Sequence, residues 1–235
     1  MPETVTLLVP TLNEIDGMKQ IMPRIKQGWC DQILIVDGGS NDGTVEYANQ
    51  QGFETIVQKR KGIRHAYTEA MSHVRGDIII TFSPDGNSIP ELIPSLIAKM
   101  REGYDMVIVS RYLDGAKSED DSLMTAFGNW MFTRMINLLH SSRYTDAMVM
   151  YRAFRKQIFY QLELNRDEAY LPERLLGTVV STEPLLSIRA AKKRLNVCDI
   201  PGDEPPRLGG KRKLLPLRWG AAYLLQIFRE IYYWR

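Results

Sequence analysis

The stretch Gly76-Asp77-Ile78-Ile79-Ile80-Thr81-Phe82-Ser83-Pro84-Asp85-Gly86-Asn87 decides the fold. Residues 78–82 are a short, β-branched and mostly apolar run, which reads as a strand buried on both faces of a sheet. The run stops at Pro84, which has no N–H for the ladder, and Asp85-Gly86-Asn87 is turn chemistry. Asp85 and Asn87 are therefore expected to project from the carboxyl end of a central strand, where open α/β sheets bind ligands. Two oxygen-bearing side chains one residue apart can face a hard divalent cation. An isolated Asp-Gly-Asn is more often a polar turn with no ligand, so the rest of the chain has to decide.

On the N-terminal side, the spacing predicts strands at 5–9, 33–36 and 53–57. Helices follow at 14–26, with Asn13 as its cap, at 45–51, with Asp42 or Thr44 as cap, and at 63–74. On the C-terminal side come a helix at 90–101, with proline in its first turn, and a strand at 105–110. Strand and helix alternate five times, which predicts an α/β fold with a mostly parallel, doubly wound sheet and helices on both faces.

The rhythm breaks after Ser110. A polar loop runs to Asp121, then a helix at 123–139 carries the stripe Leu123, Phe127, Trp130, Met131, Met135, Leu138 and Leu139. A stripe of that width reads as core or dimer contact before membrane contact. A strand ending in Arg152-Ala153-Phe154-Arg155, helices at 156–162 and 182–191 and a last strand at 196–200 follow. Residues 201–213, rich in Pro, Gly and charge, form a loop long enough to be functional. The final element, 214–235, has Leu217, Ala221, Leu224, Leu225, Phe228 and Tyr232 at helical spacing, with tryptophan, tyrosine and arginine around them. It suits a membrane surface or protein partner as well as its own domain. The expected division is a domain at 1–213 and an amphipathic helix at 214–235.

Composition narrows the class. The 235 residues are 44% hydrophobic and 25% charged, ordinary for a globular chain, and the net charge of +2 gives no footing for nucleic acid. Cys30 and Cys198 lack metal spacing, so reduced thiols and a cytoplasmic chain are expected. The start Met1-Pro2-Glu3-Thr4 has no basic region before an apolar core, so no conventional signal peptide is expected. No apolar window is long enough to span a bilayer.

The loops at 10–14, 37–44, 85–87 and 110–111 are expected to converge on one sheet edge, offering carboxylates, metal-binding oxygens and guanidinium groups. That is the outline of a nucleotide site. Neither G-x-G-x-x-G after a strand nor G-x-x-x-x-G-K-[ST] is present, which removes the main support for dehydrogenase and P-loop readings.

Val-Pro-Thr-Leu-Asn-Glu (9–14), Val-Asp-Gly-Gly-Ser-Asn-Asp-Gly-Thr (36–44), residues 76–87, Ser-Arg-Tyr (110–112) and Thr-Asp-Ala through Tyr-Arg-Ala-Phe-Arg (145–155) resemble, in order and spacing, the family 2 glycosyltransferases of GT-A fold. The nearest subgroup is the dolichyl-phosphate mannosyltransferase-like enzymes, which move a sugar from a nucleotide to a polyisoprenyl phosphate. Residues 207–214 resemble that subgroup's closing loop.

The resemblance implies that Pro10, Leu12, Glu14, Val36, Asp37 and Gly86 hold the nucleotide-sugar, with Arg207 and Lys213 on its phosphates. It also implies that Asp85 and Asn87 hold Mg2+ or Mn2+, and that Asp85 and Arg111 serve catalysis. The expected product is an inverted glycosyl phosphate on a dolichyl or undecaprenyl lipid, formed from a GDP- or UDP-sugar at the cytoplasmic membrane face. A membrane partner or a homo-oligomer is compatible with it. A saccharide hydroxyl acceptor and a non-catalytic nucleotide-binding subunit are the alternatives.

The chain departs from the pattern at four places: Gly38 follows Asp37 where the family pairs aspartates, Asn87 replaces the second acid of Asp-x-Asp, Leu12 stands for tyrosine, and no arginine opens the helix near Leu123. An amide supplies no charge, so the cation binds more weakly or a second carboxylate helps.

Overall fold

The computed structural model describes residues 3–208 and 216–234. Its strands are β1 (Val5–Thr11), β2 (Gln32–Asp37), β3 (Glu54–Val57), β4 (Ile78–Thr81), β5 (Met106–Ser110), β6 (Arg152–Arg155) and β7 (Val197–Pro201). The helices are α1 (Ile15–Ile21), α2 (Thr44–Gln50), α3 (Ile63–Ala70), α4 (Ile93–Arg101), α5 (Leu123–His140), α6 (Lys156–Gln161), α7 (Leu171–Leu176), α8 (Glu183–Lys192) and α9 (Pro216–Tyr232).

The strands form one sheet in the order β3-β2-β1-β4-β6-β5-β7. Every pairing is parallel except those of β6, which runs antiparallel between β4 and β5. β4 is central and buried on both faces, as its unbroken apolar run requires. In register, Val5 to Leu8 of β1 face Ile78 to Thr81 of β4, and Thr6 to Thr11 face Gln32 to Asp37 of β2. The loops after β1, β2 and β4 therefore leave the sheet side by side at its carboxyl edge.

The helix expected at 14–26 ends as α at Ile21 and tightens into a 3-10 turn over Met22–Arg24. Asn13 does not cap it, because Asn13 is left-handed (φ 56°) and its Oδ1 accepts from the Asn41 N–H. The Ile15 N–H donates instead to Asp42 Oδ2, so the cap comes from the loop after β2. Between α6 and α8 lie a 3-10 turn over Asp167–Tyr170 and the six-residue α7, where no element was expected.

The α5 stripe, expected to be core or dimer contact, faces mostly outward, which removes the core half of that expectation. Leu123 is 93% exposed, and Phe127, Trp130, Leu138 and Leu139 are exposed with it, while Met131 and Met135 are half-buried. The core face is Phe132, Thr133, Ile136 and His140. α5 is apolar around much of its circumference, so period alone did not say which face turns in.

α9 packs on α5, α7 and α8. It buries Ala222, Tyr223, Gln226, Ile227 and Glu230 and exposes Leu217, Leu225, Phe228 and Tyr232 on its opposite side. Arg189 of α8 and Glu230 of α9 form an ion pair with both side chains fully buried, and the guanidinium lies 4.8 Å from the Trp234 ring. α9 is thus held to the domain by charge as well as by apolar contact.

Candidate active site

The loops after β1 and β2 are stitched together. Asn13 N–H donates to Ser40 Oγ (2.8 Å), Asn41 N–H to Asn13 Oδ1 (2.9 Å), Glu14 N–H to Thr44 Oγ1 (3.0 Å) and Ile15 N–H to Asp42 Oδ2 (3.1 Å). Asp37, fully buried at the end of β2, organises this lattice. Its carboxylate accepts from Thr11 Oγ1, Gly39 N–H, Ser40 N–H and Ser40 Oγ at 2.6–2.9 Å. Val36 is buried beside it, while Pro10, Leu12 and Glu14 are partly accessible along the rim. A Cβ on Gly38 would lie 3.4 Å from Leu12 Cδ1 and 3.3 Å from the Thr11 carbonyl. Two of the departures from the family pattern therefore face each other, Leu12 filling the space a larger residue at 38 would need.

The turn after β4 is built by close approach. A Cβ on Gly17 of α1 would lie 2.3 Å from the Pro84 carbonyl oxygen, so only glycine lets the helix touch the turn. Gly86 has φ 100°, which favours glycine, and Leu208 lies directly over it. The Leu208 N–H donates to the Asp85 carbonyl at 2.9 Å.

Asp85 is buried, its Oδ1 accepting from the Asn87 N–H (3.1 Å) and its Oδ2 pairing with Arg207 Nη1 (2.8 Å). Asn87 Nδ2 donates to Asp120 Oδ2 (3.1 Å), and Arg207 Nε lies 3.3 Å from the same oxygen. Asn87 Oδ1 is buried and has no hydrogen-bond partner among the described residues. A carboxylate and an orphaned amide oxygen side by side are a hard oxygen set, and they fit a divalent cation. Among the described residues no group of three or more His, Cys, Asp and Glu gathers as a metal cage. Lys213 lies outside the described residues.

Arg111, at the end of β5, is buried and chelated. Its Nε and Nη2 lie 2.6 and 3.0 Å from the Asp146 carboxylate, and Nη1 is 3.1 Å from Glu204. These carboxylates hold its pKa well above the usual value against the opposing effect of burial. Ser118 Oγ also donates to Glu204, so the loop after β5 and the 202–208 segment share one anchor. The segment that follows Asp146 is held by Arg152 of β6, which donates to the Val149 and Ala147 carbonyls and to Ser187 Oγ (2.9 Å). Between Asp85, Asn87, Arg111, Glu204 and Arg207 lies a cavity of about 110 Å³.

Asp120, Asp146 and Glu204 carried no role in the sequence reading. The signals available were the acidic run Glu119-Asp120-Asp121 in the loop after Ser-Arg-Tyr and the Thr145-Asp146 pair before β6. Neither says which carboxylate meets which cation.

The sheet order, with β6 antiparallel beside the central strand, and the buried acid turn at its carboxyl edge are those of a GT-A fold. Residues 6–163 match the family described as Glycosyl transferase family 2. The chain belongs to glycosyltransferase family 2.

Among its relatives is glycosyltransferase AglJ of Haloferax volcanii, 28% identical over 97% of this chain and 72% of that protein. The undecaprenyl-phosphate 4-deoxy-4-formamido-L-arabinose transferase of Klebsiella pneumoniae is 30% identical over 72% of this chain and 54% of its own length. The dolichol-phosphate mannosyltransferase of Pyrococcus furiosus is 29% identical over 68% and 49%. The chain therefore spans about half the length of the last two. Among solved structures, Mycobacterium tuberculosis glucosyl-3-phosphoglycerate synthase, crystallised with Mn2+, UDP and phosphoglyceric acid, superposes with a TM-score of 0.68. It is 17% identical, over 97% of this chain and 78% of that one, a likeness of fold.

Proposed function

We propose that this glycosyltransferase is metal-dependent and inverting, and that it moves a sugar from a GDP- or UDP-linked donor to a polyisoprenyl phosphate at the cytoplasmic membrane face. The observation that carries the reading is the continuity of the Asp85 site with an apolar surface. Asp120 bonds Asn87, and three residues further on Leu123 opens the outward stripe of α5. A phosphate head can thus reach the sugar while its hydrocarbon tail stays against apolar side chains or the bilayer. Supporting it are the relatives whose names specify undecaprenyl-phosphate and dolichol-phosphate transfer. Among the described residues no helix is long and apolar enough to cross a membrane. The membrane contact proposed for this chain is made by α5 and α9.

In this account Pro10, Leu12 and Glu14 line the nucleoside end with Val36 packed behind them, and Asp37 acts by fixing the loop beside it. Asp85 and Asn87 would hold Mg2+ or Mn2+, which would supply Lewis-acid stabilisation of the nucleoside diphosphate leaving group. Gly86 lets the donor approach the backbone closely, and Arg207 and Lys213 neutralise its phosphates. Arg111, fixed by Asp146 and Glu204, braces the inner wall of the cavity, its charge balanced by those two carboxylates. A phosphate-oxygen nucleophile is already anionic, so no strong general base is needed.

The test is nucleoside diphosphate release from a panel of GDP- and UDP-sugars, with and without a short polyprenyl phosphate. Release that depends on the lipid phosphate is expected for one donor. Equal release with a soluble saccharide in place of the lipid would assign a hydroxyl acceptor, and no release from any donor would assign a binding subunit.

A further inference from the structure

The amide at position 87 leaves the turn after β4 with one carboxylate, whereas a divalent cation gains affinity with each charged ligand. A second carboxylate reaches the same place from elsewhere in the chain. Asp120 lies in the loop between β5 and α5, and its Oδ2 accepts from Asn87 Nδ2 at 3.1 Å. That oxygen is 3.3 Å from Arg207 Nε, while Arg207 Nη1 is 2.8 Å from Asp85 Oδ2. One guanidinium therefore spans the carboxylates of residues 85 and 120, with the buried, orphaned Asn87 Oδ1 alongside. The two carboxylates thus share the positive charge of one side chain.

We propose that Asp120 is the second anionic ligand of the divalent cation bound at Asp85, supplying the charge that Asn87 lacks, and that Arg207 holds the two carboxylates until the cation replaces it. The assignment rests on the metal-dependent reading above. It gives Arg207 two stations. On the carboxylates it keeps the 202–208 segment seated, with the Leu208 N–H on the Asp85 carbonyl and the Leu208 side chain over Gly86. Displaced by a cation, it is released beside the donor's diphosphate, whose charge takes over as its partner. Cation arrival and opening of a cavity of only about 110 Å³, below the size of ordinary ligand pockets, are then one event.

The experiment is an Mn2+ titration of the whole protein, followed by the electron paramagnetic resonance signal of the free ion, without nucleotide and again with GDP or UDP. Asp120→Asn should weaken Mn2+ binding by about tenfold or more with an unchanged melting temperature. Asn87→Asp in the Asp120→Asn background should restore it, because the charge returns to the turn, and Arg207→Gln should tighten nucleotide-free binding by removing the competitor. Wild-type Mn2+ affinity in Asp120→Asn, with binding lost in Asp85→Asn, would overturn the role of Asp120 and leave the metal-dependent reading standing. Failure of Asn87→Asp to restore binding would overturn the charge argument in the same way. Absence of Mn2+ binding by the wild-type protein with either nucleotide would overturn the metal-dependent reading, and this assignment with it.

Discussion

Arg207 Nη1 lies 2.8 Å from Asp85 Oδ2, so the arginine of the 202–208 segment is seated on the acid of the turn after the central strand. A guanidinium and a divalent cation on one carboxylate repel each other across a few ångströms. The two therefore compete for Asp85, and that competition links the 202–208 segment to the chemistry below it.

Asp85→Ala should remove transfer while leaving the fold in place. The lost metal ligation is worth several kcal/mol of barrier, on the order of a thousandfold in rate. The side chain bonds only the Asn87 N–H and a partly exposed arginine, so thermal melting should barely move. Rate and melting temperature measured on the same preparation check this, and near-wild-type turnover would remove Asp85 from the metal site.

Arg111→Ala should look catalytic in an activity assay and structural in a denaturation curve. It strands the fully buried Asp146 carboxylate, and breaking a buried pair from one side costs about 3–5 kcal/mol. Urea unfolding is the readout. Loss of activity with an unchanged midpoint would assign Arg111 to substrate contact alone.

Gly17→Ala sets two effects against each other. Alanine gains about 1 kcal/mol in helix propensity, but its Cβ would meet the Pro84 carbonyl oxygen at 2.3 Å, and overpacking costs about 1–3 kcal/mol. A backbone oxygen cannot rotate away, so the clash wins. Stability should fall and transfer should fall with it as the Asp85 turn shifts. A more stable variant of normal activity would mean the turn yields freely.

Phe127→Glu with Trp130→Glu, and separately Phe228→Glu, should release the protein from anionic vesicles in co-sedimentation without altering its melting. Phe127 and Trp130 touch each other with ring centroids 5.8 Å apart and are exposed, so their contact energy is available to a membrane. Burying such a side chain is worth about 1.5–3 kcal/mol, roughly tenfold or more in partitioning. Deleting α9 is a poor substitute test, because Arg189 would lose its buried partner Glu230.

His65 should make stability pH-dependent. Burial, with Arg64 and Arg60 next to it, lowers its pKa from 6.5 to about 4. Between those values the unfolded chain takes up a proton that the native state refuses, so this stabilisation is complete above pH 6.5 and is lost as pH falls toward 4. His65→Gln should flatten unfolding free energy across that window, and an unchanged slope would contradict the assignment.

Much of the fold was legible because parallel strands buried on both faces leave continuous apolar runs, as in Ile78 to Ile80, ended by residues that cannot continue a ladder. Turn chemistry placed Asp85 at the strand end for the same local reason. What was not legible is non-local. The cap of α1 is Asp42, distant in sequence, so Asn13 looked suitable and was not used. The outward stripe of α5 and the inward one shared a helix too apolar for periodicity to choose between them. Asp120 and Asp146 were visible only as charges in loops, since their roles depend on Asn87, Arg207 and Arg111 arriving from other strand ends.

The most direct measurement of the central claim is transfer of label from GDP- and UDP-sugars into the organic phase with a short polyprenyl phosphate, with and without Mg2+ or Mn2+. The account predicts metal-dependent formation of an acid-labile lipid product from one donor, lost in Asp85→Ala. Nucleotide release with no lipid-borne label, or transfer that persists with the metal chelated, would contradict it.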